Sequence, residues 1–515
     1  MQEVSRAWIE AQQQTLVPES FVEIELSVGD PSASADATAE SNGDLFLANT
    51  PGVVAEEAQT PVKYTTLELN MWGLGGDMEL TPDAPPYGDN GYIGNALSDS
   101  EGVFSAVVPT LSINFSKVFT ALIPGVSIVW SETYGEWAAA FTVTAYNGET
   151  QVAQKVITGN TEIMSVVDLD IQNYDRIETT IQEWCLPKHY PRIEQVVIGI
   201  EQVYTKKDVM SLQHVISVDP LSGELPNAEI TFEVSNLNGQ YNPDNPQGVE
   251  KYLMERQQIT ARYGYKLNGA VEWIAAGVFY MSEWDCPQNG ITATFTARDA
   301  QEYMTDLYSG PATGSLGDIA SAAFTQAGIP AQPDGSPSWA VDQSLSSVVV
   351  PADVDLSTYT IKEVLQLCAN AGCCVMYQDR LGIFHIEPLA ASTPEYPINQ
   401  FNSYQYSEVS LSKQLRAVDI NNGQYVLQVA TVGDTQQINN PLISDAQAPV
   451  VAQWVANYLV NRRTLSGEFR ADPRLDALDR VVNTNSFSTS TVLVTQITYT
   501  YNGAFRGAYE GRAGV

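Results

Sequence analysis

The three histidines, His189, His214 and His385, lie too far apart in sequence for any two to share metal-ligand spacing, and none belongs to an HExxH motif. G-x-S-x-G, P-loop and Cys–His signatures are absent. His385 alternates with Phe384 and Ile386, the setting of a structural histidine in a strand. With 61 acidic residues, no carboxylate pair stands out as a glycosidase couple. We therefore expect no catalytic residue, no metal site and no enzyme. Recognition is the better-supported chemistry, because sugars are held by aromatic faces and a few fixed polar groups in a shallow site. The available pieces are Trp72, Tyr87, Tyr92, Tyr134, Trp137 and Trp184, with Asp89, Asn90, Glu136 and His189. Of these, Tyr92, Tyr134, Glu136 and Trp137 form the expected sugar-binding set. Tyr134 and Trp137 sit in the turn-like SETYGEW and are expected to be exposed, whereas Trp72 and Trp184 read as core aromatics. Calcium is the one cofactor the sequence admits, near Asp83 to Asp99, a stretch rich in Asp, Asn and Gly but without EF-hand spacing. Asn236 to Pro246 reads as a turn-rich loop, with a cation site as the lesser alternative.

These residues must be positioned by a chain of 515 residues, too long for one core, so three to five domains are expected. Hydrophobic content is 44% and aromatic content 10%, a composition that favours β structure. No apolar run reaches the roughly 18 residues of a membrane span. The opening MQEVSRAWIEAQQQ lacks the apolar core of a secretory signal. Net charge is −36, and from Met1 to Asp175 the only basic residues are Arg6, Lys63, Lys117 and Lys155. That distribution argues against a nucleic-acid interface, which needs Lys and Arg on its contact face. It fits either simple solubility or a wall that repels a polyanion. The five cysteines are an odd number with no CxxC pair, and we expect them reduced.

Taken in order, residues 2–15 read as a short helix and FVEIELSV (Phe21 to Val28) as a strand. Residues 31–62 are small, acidic and turn-rich, a loop or linker. Residues 63–205 carry about seven short alternating segments with turn signals between them, the pattern of a β-sandwich. From 206 to 304 strands alternate around Ile230, Phe232 and Val234, then Ile259, Ala261 and Tyr263. The pairs Asn238-Gly239, Asn268-Gly269 and Asn289-Gly290 mark hairpins, and three in one segment point to a small closed antiparallel barrel. FVEIELSV has no partner unless it joins that barrel, so the sandwich is read as an insertion. In 305–395, Ser315–Asp318 and Thr360–Glu363 fit capping boxes ahead of two helices, Gly328 stops the first, and a hairpin turns at Asp379 to Gly382. Residues 396–515 return to strands around a helix expected from Pro449 to Arg463, with Val450, Val451, Trp454, Tyr458 and Leu459 on its apolar face.

The succession SVDPLSGELPNAEITFEVSN, YLMERQQITARYGY, WIAAGVFYMSEW and GITATFTARDAQEYM resembles the first barrel of phage tail hub proteins. TIKEVLQLCANAGCCVMYQDRLGIFHIEP resembles their α+β second domain, and ADPRLDALDRVVN with the final YNGAFRG their second barrel. PTLSINFS, GVSIVWSETYGEWAAAFTVTAYNG and PRIEQVVIGIE resemble the galactose-binding-like, discoidin-type jelly roll. The resemblance implies a mainly β fold with α+β parts: two small hub β-barrels, an α+β domain and an inserted jelly-roll β-sandwich. In these terms 1–30 holds a helix and the first strand of hub barrel 1, 31–62 a linker, and 63–205 the sandwich. Residues 206–304 complete barrel 1, 305–395 form the α+β domain, and 396–515 form barrel 2 with a helical insert at 444–480. It further implies a structural virion protein, made in the host cytoplasm: a homotrimer at the tail tip or baseplate that matches a threefold tip to a sixfold tube. Its partners would be the tail tube or distal tail protein, a tip spike, tape measure or other baseplate proteins, and a host-surface glycan. The genome would pass through the lumen without specific binding. Some tail proteins carry a lytic enzyme after the hub, and none is expected here. A free-standing glycan-binding surface protein is the alternative, and a β-scaffold glycosidase or peptidase a more distant one.

Overall fold

Alternation of apolar and polar side chains decides most of what forms. Ile230, Phe232 and Val234 all point into one core, and their ladder partners on the next strand are Ala297, Phe295 and Ala293. Large residues thus face small ones at the flanks, while Phe232 stacks on Phe295 with ring centroids 5.2 Å apart. The computed structural model describes all residues except 15, 30, 55–61, 72–77, 79–89, 121, 238–240, 243–256, 288–290, 333–334, 392 and 515, and not the side chains of 27–32 and 200–202. The protein is mainly β, with several antiparallel sheets and few helices. The chain forms two compact units, one from Met1–Leu26, Val203–Gln332 and Ser336–Val515, the other built on Ser27–Gln202.

The first unit is organised by one 13-stranded sheet. Ser20–Gly29 pairs antiparallel with Gln258–Leu267, from Ser20 opposite Tyr265 to Leu26 opposite Ile259. The path continues through Ala270–Asp285, Thr292–Arg298, Glu229–Ser235 and Val209–Ser217. Asn268 and Gly269, at φ of 52° and 96°, make the tight turn between the first of these pairs. The other two Asn-Gly pairs lie outside the described residues. Val209–Ser217 then pairs with Thr489–Tyr501, running from Leu212 opposite Tyr501 to Ser217 opposite Gln496. Beyond it come Phe505–Ala513, Arg463–Phe469 and Glu408–Leu411. Thr489–Tyr501 divides one of its edges, giving Leu493 and the residues before it to Arg480–Thr484. Among the described residues this path stays open, and no ring of paired strands closes. It does coil: Tyr204 at one end reaches Phe295, four strands along, at 6.2 Å. One core runs through both halves, from Val22, Phe232 and Tyr263 to Val481, Ile497 and Phe505.

A second core in this unit is helical. Ser315 and Asp318 close a capping box on Leu316–Ala327, which ends at Gly328 with φ of 64°. Thr360 and Glu363 do the same for Ile361–Ala371. The helix expected at 449–463 spans Ala448–Leu459 instead, and Arg463–Phe469 is a strand held by neighbours on both sides. Its buried face is Ala448, Val451, Ala452, Val455 and Ala456, with Val450 exposed. Of the other residues expected on that face, Val451 is buried and Trp454, Tyr458 and Leu459 are half-buried against the same core, with small alanines filling the closest approach. At the N-terminus the helix is Arg6–Gln12, capped by Ser5, with Trp8 buried.

The second unit sets a five-stranded sheet, ordered Thr38–Ser41, Thr110–Phe119, Tyr174–Trp184, Ala138–Asn147 and Thr150–Thr158, with a three-stranded one of Gln195–Val197, Ile123–Val129 and Met164–Ile171. Leu111, Phe141 and Ile177 from the first share a core with Val126, Ile128 and Val167 from the second. The stretch expected as a linker is partly structure: Thr38–Ser41 adds an edge strand, and Ala39 and Val53 join the core. Glu40, the one acidic residue of that strand, faces outward among small polar neighbours, so the composition reads as a loop.

Candidate functional site

Three of the four expected sugar-binding residues, Tyr134, Glu136 and Trp137, lie at the turn between Ile123–Val129 and Ala138–Asn147. Ser131 and Glu136 exchange backbone hydrogen bonds across this turn, and Gly135 takes φ of 68°. Glu136 is only 3% exposed. It accepts from Trp184 Nε1 at 2.8 Å, and its Oε1 lies 2.9 Å from His189 Nδ1. His189 Nε2 meets the Leu69 carbonyl at 2.6 Å, so both ring nitrogens face oxygen acceptors.

Arg192 completes the cluster. Its Nη1 and Nη2 donate to Glu68 Oε1 and Oε2 at 2.9 and 2.5 Å, a two-pronged pair. Its guanidinium lies 4.4 Å from the centre of the Tyr134 ring. Nη1 also lies 3.5 Å from Glu136 Oε2. Glu68 further accepts the Tyr190 backbone N–H at 2.7 Å and the Thr66 hydroxyl. Burial pushes the Glu68 carboxyl up, but the Arg192 fork outweighs it and holds the group below its usual range. Glu194, beside the cluster, is shifted up by burial despite accepting from Thr133 N and Ser131 Oγ, each at 3.2 Å. Glu68 and Glu136 thus find their partners in Arg192, His189 and Trp184, which is how these polar groups tolerate burial together.

Tyr134 and Trp137 are half-buried rather than exposed. The Tyr134 hydroxyl accepts from Tyr64 N at 2.9 Å and lines a cavity of about 10 Å³ with Tyr64, Asn90, Arg192 and Glu194, room for one water. Tyr92 is fully buried in the sandwich core, opposite Ile193 on the neighbouring strand, and burial raises its phenol. Trp184 packs edge-on against Trp130 at 6.1 Å, and Asn90 bridges Val62 N and the Leu47 carbonyl. Trp72, Tyr87 and Asp89 lie outside the described residues, as do residues 83–89 of the calcium stretch. Asp99, at its end, accepts backbone N–H groups from Glu101 and Val103 in a local turn. Among the described residues no three His, Cys, Asp or Glu side chains converge as metal ligands. Sequence reasoning missed Glu68 and Arg192, which have no local signal because they lie 124 residues apart.

The other histidines are structural. His214 is buried with Nδ1 at 3.0 Å from the Tyr263 hydroxyl, and His385 Nε2 meets Asp379 Oδ2 at 2.9 Å while its ring stacks on Tyr377. Asp379 holds the His385 imidazole above its usual range.

No protein-family model and no curated protein matches the chain. Several solved structures are similar to it. A tail protein from Neisseria meningitidis MC58 aligns with 9% identity and a TM-score of 0.44, over 61% of this chain and 94% of that one. The 43 kDa tail protein of prophage MuSo2 from Shewanella oneidensis aligns at 13% identity and 0.42, over 60% and 94%. Prophage tail protein gp18 from Listeria monocytogenes EGD-e aligns at 9% and 0.39, over 61% and 91%. These neighbours are tail proteins; at such identities and scores their roles do not transfer by likeness.

Proposed function

We propose that the protein is a structural subunit of a phage tail or phage-derived particle, a trimeric hub at the distal end of the tail tube. In this reading it joins the tube to tip or baseplate proteins, works without catalysis, and sits in the virion. The observation that carries it is the antiparallel pairing of Val209–Ser217 with Thr489–Tyr501, which fuses two coiled strand systems from one chain into a single sheet. Two such systems side by side suit three copies to a sixfold tube, with the sheet ends Gly199–Thr205 and Glu408–Leu411 supplying edges between copies. The exposed Val409 and Leu411 on the second edge support that use. The two-sheet unit is read as a discoidin-type module that binds a host-surface glycan through Tyr134 and Trp137, with Glu136 behind them. The acidity of the chain fits a lumen along which a genome slides without sticking. Light scattering on the purified chain together with imaging of assembled particles tests this. A threefold species located at the tail tip is expected, and a monomer at every concentration and in the particle overturns it.

A further inference from the structure

Residues 62–71 lie across the Arg192 cluster as a strap without helix or strand. Polar tethers hold it: Val62 N to Asn90 Oδ1, Tyr64 N to the Tyr134 hydroxyl, His189 to the Leu69 carbonyl, and Glu68 on Arg192. Its apolar packing is confined to its ends, where Tyr64 and Met71 are buried; between them Leu67 is 92% exposed and Leu69 about half exposed. Segments with few buried apolar contacts sit at the low-stability end of a protein. Beneath the strap there is room for one water and no sugar ring.

What the strap delivers is a carboxylate. Glu68 fills both prongs of a buried guanidinium whose flat face rests on Tyr134, and takes a backbone N–H from Tyr190 as well. A planar fork backed by an aromatic ring and flanked by a backbone donor is the chemistry that recognises a free carboxylate. Arg192 Nε, also buried, has no partner among the described residues. The second carboxylate in reach, Glu136, is already matched by His189 and Trp184. Replacing Glu68 by an external carboxylate therefore leaves the local charge unchanged.

We propose that Arg192 and Tyr134 form a binding site for carboxylate-bearing saccharides such as uronic acids, and that Glu68 occupies it as an internal stand-in until the strap is displaced. This rests on the reading of the sandwich as the glycan-facing part, and it specifies the ligand. Oligogalacturonate is the probe, with neutral oligogalactose as control, on the full chain. Expected are calorimetric binding of the acidic oligomer alone, faster hydrogen exchange at 62–71 on binding, and an affinity loss of about tenfold or more in R192M. In E68A, acetate or galacturonate should raise the unfolding midpoint while chloride and galactose do not. Should E68A fail to fold, the wild-type and R192M titrations decide alone. Equal binding of neutral and acidic oligomers, binding with 62–71 still protected, or equal binding of a glutamate-rich peptide would overturn the proposal. Carboxylate selectivity in a chain that never joins a tail removes the hub reading and keeps this site; a tail-located trimer indifferent to carboxylates does the reverse.

Discussion

Arg380 donates its Nε–H to Asp476 Oδ2 at 2.8 Å, joining the tip of the 375–387 hairpin to the loop that precedes Arg480–Thr484. The same side chain gives Nη1 to the Pro473 and Ala275 carbonyls at 2.6 and 3.2 Å, and Nη2 to Leu475 at 2.7 Å. One buried guanidinium thus fastens the α+β region to both strand systems. Removing it strands three carbonyls and a half-buried carboxylate. We expect R380M to lower the unfolding free energy by about 3 kcal/mol or more, measured by urea denaturation. A loss below about 1 kcal/mol would mean that water replaces these bonds freely.

His214 stands opposite Tyr499 at the seam between the strand systems, enclosed by Tyr263 and Phe279. Burial, with the Arg380 charge adding to it, pushes the imidazole down to about 3. The unfolded chain therefore binds a proton first as pH falls. Stability from this group is full above about 6.5 and drains as pH drops toward 3, at about 1.4 kcal/mol per unit. H214Q keeps a hydrogen-bonding side chain and cannot titrate. Its stability should fall less than wild type over that window, and parallel curves would refute the assignment.

Asp299 has the opposite sign. It is buried, accepts from Ala228 N, Gln301 N and Gln301 Nε2, and burial raises its carboxyl to about 6. Here the folded state holds the proton more tightly. The group costs nothing below the usual 3.8, and its penalty grows as pH rises to about 6 and stays thereafter. Comparing D299N with wild type by thermal unfolding between pH 4 and 7 should show this component missing in the variant. Since His214 loses stability on acidification where Asp299 regains it, the double variant separates two effects that partly cancel in the parent.

Thr360 Oγ1 accepts from Glu363 N at 3.2 Å, and the Thr360 N–H donates in return to the Glu363 carboxylate at 2.7 Å. T360A should cost about 1 kcal/mol, with T360S close to neutral, as read by denaturant midpoints. A neutral alanine would show that water caps Ile361–Ala371 equally well.

Local chemistry was readable in advance; distance in sequence was not. The capping boxes at Ser315 and Thr360 and the alternation at Ile230–Val234 are short-range patterns with physical causes, and they were legible. The short strand Thr38–Ser41 was hidden because its partner Thr110–Phe119 lies some 70 residues on, past a loop-like composition. The part that Ala448, Ala452 and Ala456 take in the buried face of Ala448–Leu459 was hidden because hydrophobicity counts undervalue alanine. At the candidate site, Tyr134 and Glu136 stood out by type and turn position. Glu68 and Arg192, 124 residues apart, carry no local sign of each other. A buried ion pair is a tertiary fact, written only when the chain closes on itself.

Thr489–Tyr501 lends its flanks to three different neighbours: Val209–Ser217, Arg480–Thr484 and Phe505–Ala513. No cut through the first unit can release one strand system intact, since whichever half kept this segment would leave the other with a bare margin. The halves must melt as one cooperative body, and a pull applied to either is borne by the hydrogen bonds of both.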